Sequence, residues 1–260
     1  MAHGEWITIE ERFCGPPRSG NGGYVCGRVA AGLVGAAAGL GADVVVRLKA
    51  PPPIGRPLGL ETTESGARLV DGETVIAEAK RGALELAVPP APSFDEAERA
   101  STRYLGFDEH NFPTCFVCGP ARAPGDGLRI FPGALAAAPA KAGEGVAAES
   151  CAQLAATWTP DASLADDAGR VRPEFLWAAL DCPGAFTRYP LPAGVALVLG
   201  ELAVSIGDRP RAGESCVLTA WSLGDEGRRR QAGTALFDRD GRLLAKARAV
   251  WVEVPAQVWS

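Results

Sequence analysis

The feature that most limits how this chain can fold is a helix with no polar face, followed at once by four strands. PEFLWAALDCPGAF (173–186) opens on a proline suited to a first helical turn and is apolar almost all round. Such a helix has to be covered on more than one side. The next segments supply the cover: GVALVLGELAVSI (194–206), ESCVLTAWSL (214–223), RQAGTALFD (230–238) and RLLAKARAVWVEV (242–254). They are short, rich in Val, Leu, Thr and Trp, and parted by the turn signals Gly207-Asp208, Gly224-Asp225 and Asp240-Gly241. Strands joined this tightly form an antiparallel meander. Ahead of the helix, GVAAESCAQLAATW (145–158) alternates as a strand does. The order is strand, loop, buried helix, four strands.

The first part of the chain repeats that order more faintly. EWITIEERF (5–13) reads as a strand, GPPRSGNGG (15–23) as a loop and YVCGRVAAGLVGAAAGL (24–40) as an apolar helix. ADVVVRLKA (42–50), PLGLETTES (57–65), ARLVDG (67–72) and ETVIAEAKRGALELAV (73–88) follow as strands. Asp71-Gly72…Ala77-Glu78-Ala79 parallels Asp240-Gly241…Ala245-Lys246-Ala247 with one residue gapped. A proline-rich run and a short helix, FDEAERASTRYL (94–105), separate the copies. The expected organisation is a first half over 1–90, a linker over 91–110 and a second half over 111–260. One helix-and-sheet layer leaves an open sheet edge and an uncovered helix flank; two copies in one chain cover each other.

Charge and cysteine usage narrow the function. A net charge of −5 disfavours a broad nucleic-acid or anionic-membrane surface. No apolar run approaches the roughly 18–20 residues that span a bilayer. The start, MAHGEWITIEERF, is acidic and polar and reads as no signal peptide. Seven cysteines without framework spacing point to a reducing, cytoplasmic setting. Histidine is scarce, with only His3 and His110, so a Ser-His-Asp or Cys-His hydrolase would have to use His110. G-x-S-x-G is absent, and multi-histidine metal sites are excluded. Catalysis therefore falls to a carboxylate. Cys115 and Cys118 are half a zinc site with no second pair at suitable spacing, so no metal is expected. Recruiting one would take His110 with Cys14 or Cys151. GLVGAAAGLGADVVV (32–46) has dinucleotide-loop glycines, but they close a helix and precede a strand, the reverse of that motif.

Three segments carry a family resemblance. CFVCGPARAPGDGLRIFPG (115–133) resembles the CFxCG…GL segment ahead of the first strand in single-hotdog thioesterases. GPPRSGNGGYVCG (15–27) resembles the loop running into the hotdog helix, which usually ends in His-Gly-Gly. FLWAALDCPGAF (175–186) resembles that helix, whose acid follows the His position by nine residues. The chain thus resembles acyl-CoA thioesterases of the phenylacetate-pathway type and their tandem relatives. The resemblance implies an α+β double hotdog: two antiparallel sheets, each wrapping a central apolar helix, fused as a pseudo-dimer. It further implies an active site between halves, with the loop of one and the acid of the other.

Here the family's His is Asn21, followed by Gly22 and Gly23, and nine residues on stands Ala30. The second half keeps the acid as Asp181, with Arg172 at the His position. One hybrid site therefore remains, Asn21-Gly22-Gly23 with Asp181, and its reciprocal is degenerate. A helix N-terminus with glycines admits a thioester carbonyl close to free N–H groups. Asp181 is the expected base or nucleophile, presented where Pro183 breaks the helix. Glu201 is expected to line the same cleft, and Arg228, Arg229 and Arg230 to meet the phosphates of coenzyme A, which enters as part of the substrate and not as a cofactor. The implied reaction is hydrolysis of an acyl-CoA or related acyl thioester, a small-molecule substrate. The alternatives are a non-catalytic acyl or CoA binder and an enoyl-CoA hydratase or dehydratase using Asp108 and His110. Pairing of two such chains into a homodimer through sheet edges stays open.

Overall fold

The computed structural model describes residues 3–34, 41–135 and 153–259. Five strands, β1 (His3–Thr8), β2 (Val44–Leu48), β3 (Pro57–Thr62), β4 (Ala67–Asp71) and β5 (Thr74–Arg81), accompany α1 (Gly22–Val34). Helix α2 (Phe94–Ser101) and a two-residue strand, β6 (Gly133–Ala134), come next. The remainder is β7 (Leu154–Trp158), α3 (Pro173–Ala179), α4 (Cys182–Ala185), β8 (Val195–Ile206), β9 (Cys216–Glu226), β10 (Arg229–Asp238) and β11 (Leu243–Pro255). Both expected meanders form. The expected strand over 145–158 is realised as β7; residues 145–152, like 35–40 of the first expected helix, lie outside the described residues.

The two expected sheets are one. Its order is β1-β3-β4-β5-β2-β8-β11-β10-β9-β7-β6, with every ladder antiparallel. Read outward from the middle, β2-β5-β4-β3-β1 and β8-β11-β10-β9-β7 are the same sequence of positions. The seam is the strand that follows each helix: Val44–Arg47 of β2 pair with Val204–Glu201 of β8. Joining the halves there removes two open edges that would otherwise need cover.

Helices α1 and α3 pack against each other on one face of this sheet. Phe13 stacks on Tyr24 of α1 at 4.2 Å, Phe116 meets Phe13 edge-on at 5.0 Å, and Phe175 of α3 lies 5.8 Å from Tyr24. Each such pair contributes about 0.5–1.5 kcal/mol beyond its buried area. The cluster draws on both halves. Helix α2, closed by a Ser93–Glu96 capping box, packs Ala97 and Ala100 with Val217, Trp221 and Phe237. Alternation along β9 sends Val217 to that cluster and Leu218 to the main core, so α2 covers the opposite face. Among the described residues no helix is long and apolar enough to cross a membrane.

Candidate active site

Helix α1 starts where the glycine loop returns to the core. Asn21 N–H donates to Phe13 O at 2.8 Å, and Gly20 N–H to Pro52 O at 2.8 Å, which fixes the direction of entry. Asn21 is the N-cap: its carbonyl accepts from Val25 N–H at 3.0 Å and its Oδ1 from Tyr24 N–H at 2.9 Å. Because Oδ1 is held by that backbone donor, the amide Nδ2 must face the other way, and it donates to Asp181 Oδ2 at 3.1 Å. Gly23 N–H donates to the same oxygen at 2.8 Å. A Cβ on Gly23 would fall 2.5 Å from Asp181 Cβ and 2.6 Å from Trp177 O, so only glycine allows this approach. Gly22 N–H has no protein acceptor among the described residues.

Asp181 stands at the expected break. The helix begun at Pro173 stops at Ala179; Asp181 leaves helical geometry at φ −79°, ψ −81°, and α4 restarts at Cys182-Pro183. Thr234 Oγ1 donates to the freed Leu180 carbonyl at 2.7 Å, which steadies the interruption. The carboxyl is 1% exposed, and its Oδ1 has no hydrogen-bond partner among the described residues. Burial pushes its pKa up to about 8; the bonds from Gly23 and Asn21 oppose this, and negative charge on Cys115 adds to it.

These groups open on a cavity of about 270 Å³. Its apolar walls include Leu197 and Leu199 of β8, Phe186, Tyr189, Trp251 and Trp259, while Gly22, Asn21 and Asp181 form its polar floor. The hybrid pair of loop and acid drawn from the sequence is thus brought together, one partner from each half.

Two further features of the floor escaped sequence reasoning. Cys115 and Cys118 are joined by Cys182, and the three sulfurs all lie within 4.8 Å of one another. Cys115 Sγ is 3.7 Å from Cys182 Sγ, and Asn21 Nδ2 is 3.7 Å from Cys182 Sγ. Hydrogen bonds from the Cys118 and Cys182 thiols, with the Cys118 and Val117 N–H groups, hold the Cys115 thiol well below its usual range. Cys14, the partner considered from sequence, instead donates to Thr114 O at 3.4 Å, and Cys151 lies outside the described residues. His110, assigned to a linker, lines the cavity. Its Nδ1 accepts from Phe112 N–H at 2.9 Å, which leaves the proton on Nε2, and burial lowers its pKa. Nothing in the local sequence foretells either convergence, since both depend on the chain folding back across the halves.

The other expected site residues are elsewhere. Glu201 does not line the cavity: a bulge at Gly200 lets both Leu199 and Leu202 face the core and leaves Glu201 on the opposite face, where Arg47 Nη2 binds Glu201 Oε2 at 2.6 Å. Arg228, Arg229 and Arg230 do not line it either. The first two are exposed at the tip of the β9–β10 hairpin, and Arg230 is held by Glu253 at 2.6 Å. At the reciprocal position Ala30 is buried, and Arg172 lies over the Phe175 ring at 4.8 Å and 3.6 Å from Glu174.

Strand order and the apolar helices lying against the sheet define a hotdog fold. Solved structures agree over nearly its whole length. The tesB protein of Mycobacterium avium subspecies paratuberculosis gives a TM-score of 0.60 at 15% identity, over 97% of this chain and 93% of that one. A candidate thioesterase from Novosphingobium aromaticivorans gives 0.58 at 16% identity, over 96% and 94%. A hot dog fold protein of unknown function from Alicyclobacillus acidocaldarius gives 0.58 at 14% identity, over 96% and 93%. No family model matches the chain, and no curated protein matches it by sequence.

Proposed function

We propose that the chain is two hotdogs fused as a pseudo-dimer, with halves over 1–90 and 111–260, hydrolysing an acyl-CoA or related acyl thioester at one site between them. The observation that carries this reading is the meeting of Asp181 with the α1 N-terminus at the floor of an apolar cavity. The acyl group occupies the space bounded by Leu197, Leu199 and Trp251. Its carbonyl oxygen faces Gly22 N–H, a donor reinforced by the partial positive charge of the helix start. Asp181 Oδ2 is spent on Gly23 and Asn21, so Oδ1 is the atom that acts. As general base it takes a proton from water; the hydroxide attacks the carbonyl carbon, the C–S bond breaks and the thiolate leaves. A base with a pKa near 8 suits work close to neutral pH. Coenzyme A enters only as part of the substrate.

The test is thiol release from short, branched, long and aryl acyl-CoAs by wild type and Asp181→Asn, both shown to be folded. Loss of kcat/KM by about 10²–10⁴-fold in the variant supports the reading. Turnover undiminished in Asp181→Asn removes it. A second reading, acyl-thioester binding without hydrolysis, is favoured by one fact: Gly23 N–H and the Asn21 amide are already engaged by Asp181. Thermal stabilisation by acyl-CoA with no thiol release across the panel would select it.

A further inference from the structure

Cys115, Cys118 and Cys182 come from two distant stretches of chain, yet their sulfurs converge in the floor of the cavity. All three are buried. A disulfide would use two of them and leave the third unexplained. A tetrahedral metal uses all three: zinc–sulfur bonds of about 2.3 Å put the sulfurs ~3.8 Å apart. The Cys115–Cys182 separation is already 3.7 Å, and the third sulfur lies within 4.8 Å of both.

The cluster is held by local backbone geometry. Cys115-Phe116-Val117-Cys118-Gly119 is a tight turn in which Gly119 N–H donates to Cys115 O at 2.9 Å. A Cβ on Gly119 would lie 2.5 Å from that same oxygen, so the turn requires glycine. The Asn21 amide faces the sulfurs of Cys115 at 3.9 Å and Cys182 at 3.7 Å. No fourth His, Cys, Asp or Glu joins the cluster among the described residues. The cysteines line the cavity, as do two groups with unpartnered buried polar atoms, His110 Nε2 and Asp181 Oδ1.

We infer that Cys115, Cys118 and Cys182 form a binding site for a borderline-soft divalent metal, zinc, with its fourth coordination position open to the cavity. Soft thiolates select zinc over magnesium or calcium, and three protein ligands with one open position are the arrangement of a metal accessible to small molecules. The site rests on sulfur geometry and stands apart from whether the cavity turns over a thioester.

The full chain, purified without chelator from zinc-supplemented culture, is assayed for metal by mass spectrometry and then reloaded with Co²⁺. Expected are one zinc per chain and, for the cobalt form, thiolate-to-metal charge-transfer absorption in the near ultraviolet with tetrahedral bands in the visible. Cys118→Ser and Cys182→Ser lose stoichiometric metal, while Cys216→Ser keeps it. If the serine variants do not fold, the wild-type cobalt spectrum decides alone. Folded wild type that takes up neither metal stoichiometrically overturns the inference, as does recovery of Cys115 with Cys182 or Cys118 in a disulfide.

Discussion

Asn21 does two jobs with one side chain, and the two are separable. Its oxygen caps α1 and its nitrogen supports the charge on Asp181. Asp is as good an N-cap as Asn but has no amide to donate. Asn21→Asp therefore keeps the helix start and sets a second carboxyl against the first. Asp181 is also faced by Cys26 from α1 and by Cys115. In wild type, kcat/KM should rise with pH and level off above about 8, as the carboxyl ionises. In Asn21→Asp the rise should shift upward by roughly one pH unit or more. An unshifted midpoint would show that the amide does not hold the carboxylate. The same ionisation has a stability cost of defined sign. Asp181 holds its proton more tightly folded, near 8, than unfolded, near 3.8. Its stabilising contribution is full below about pH 4 and lost as pH rises toward 8. Asp181→Asn should flatten the decline of Tm across that window.

At the scale of elements, the contact of α1 with the end of α3 decides whether a site exists at all. Gly23 is a point of close approach, and a single methyl there meets Asp181 and the Trp177 carbonyl below contact distance. Gly23→Ala should separate the helices, lower Tm and reduce kcat/KM together, measured by calorimetry and thiol release; activity retained with lowered stability would detach the packing from the chemistry. Much of this level was legible in the chain. The turn signals placed the C-terminal meander, and Pro183 predicted the break after Asp181, because both are local rules of backbone geometry. The seam of β2 with β8, the third cysteine and the return of His110 were not legible, because each depends on residues far apart in sequence. Glu201 misled for a related reason: a lone acid in an apolar strand tells nothing of the bulge that sets which face it takes, and Val250/Trp251 carry that irregularity across the ladder.

For the whole molecule, the aromatic cluster of Phe13, Tyr24, Phe116 and Phe175 and the β2–β8 ladder tie the halves into one cooperative body. Phe116 is fully buried in the stretch between α2 and β6. Phe116→Ala should cost about 3–5 kcal/mol of unfolding free energy. Tryptophan fluorescence reports mainly on the second half, since every tryptophan but Trp6 lies beyond residue 150. Its denaturation midpoint should coincide with that of far-ultraviolet circular dichroism, in wild type and variant alike; two separated midpoints would mean that the halves melt independently. The seam has a further consequence. β2 ends at Leu48 while β8 begins at Val195, so the two strands run together only from Glu201 onward and part before it. The gap left there by strands of unequal length is part of the cavity, lined by Lys49, Ala50, Pro51 and Pro52 on one side and by Leu197 to Gly200 on the other. One wall of the cavity is thus a proline-stiffened loop outside the sheet, and because the same loop holds Gly20 through Pro52 O, a change in its length that reshapes what the cavity admits also reaches the start of α1.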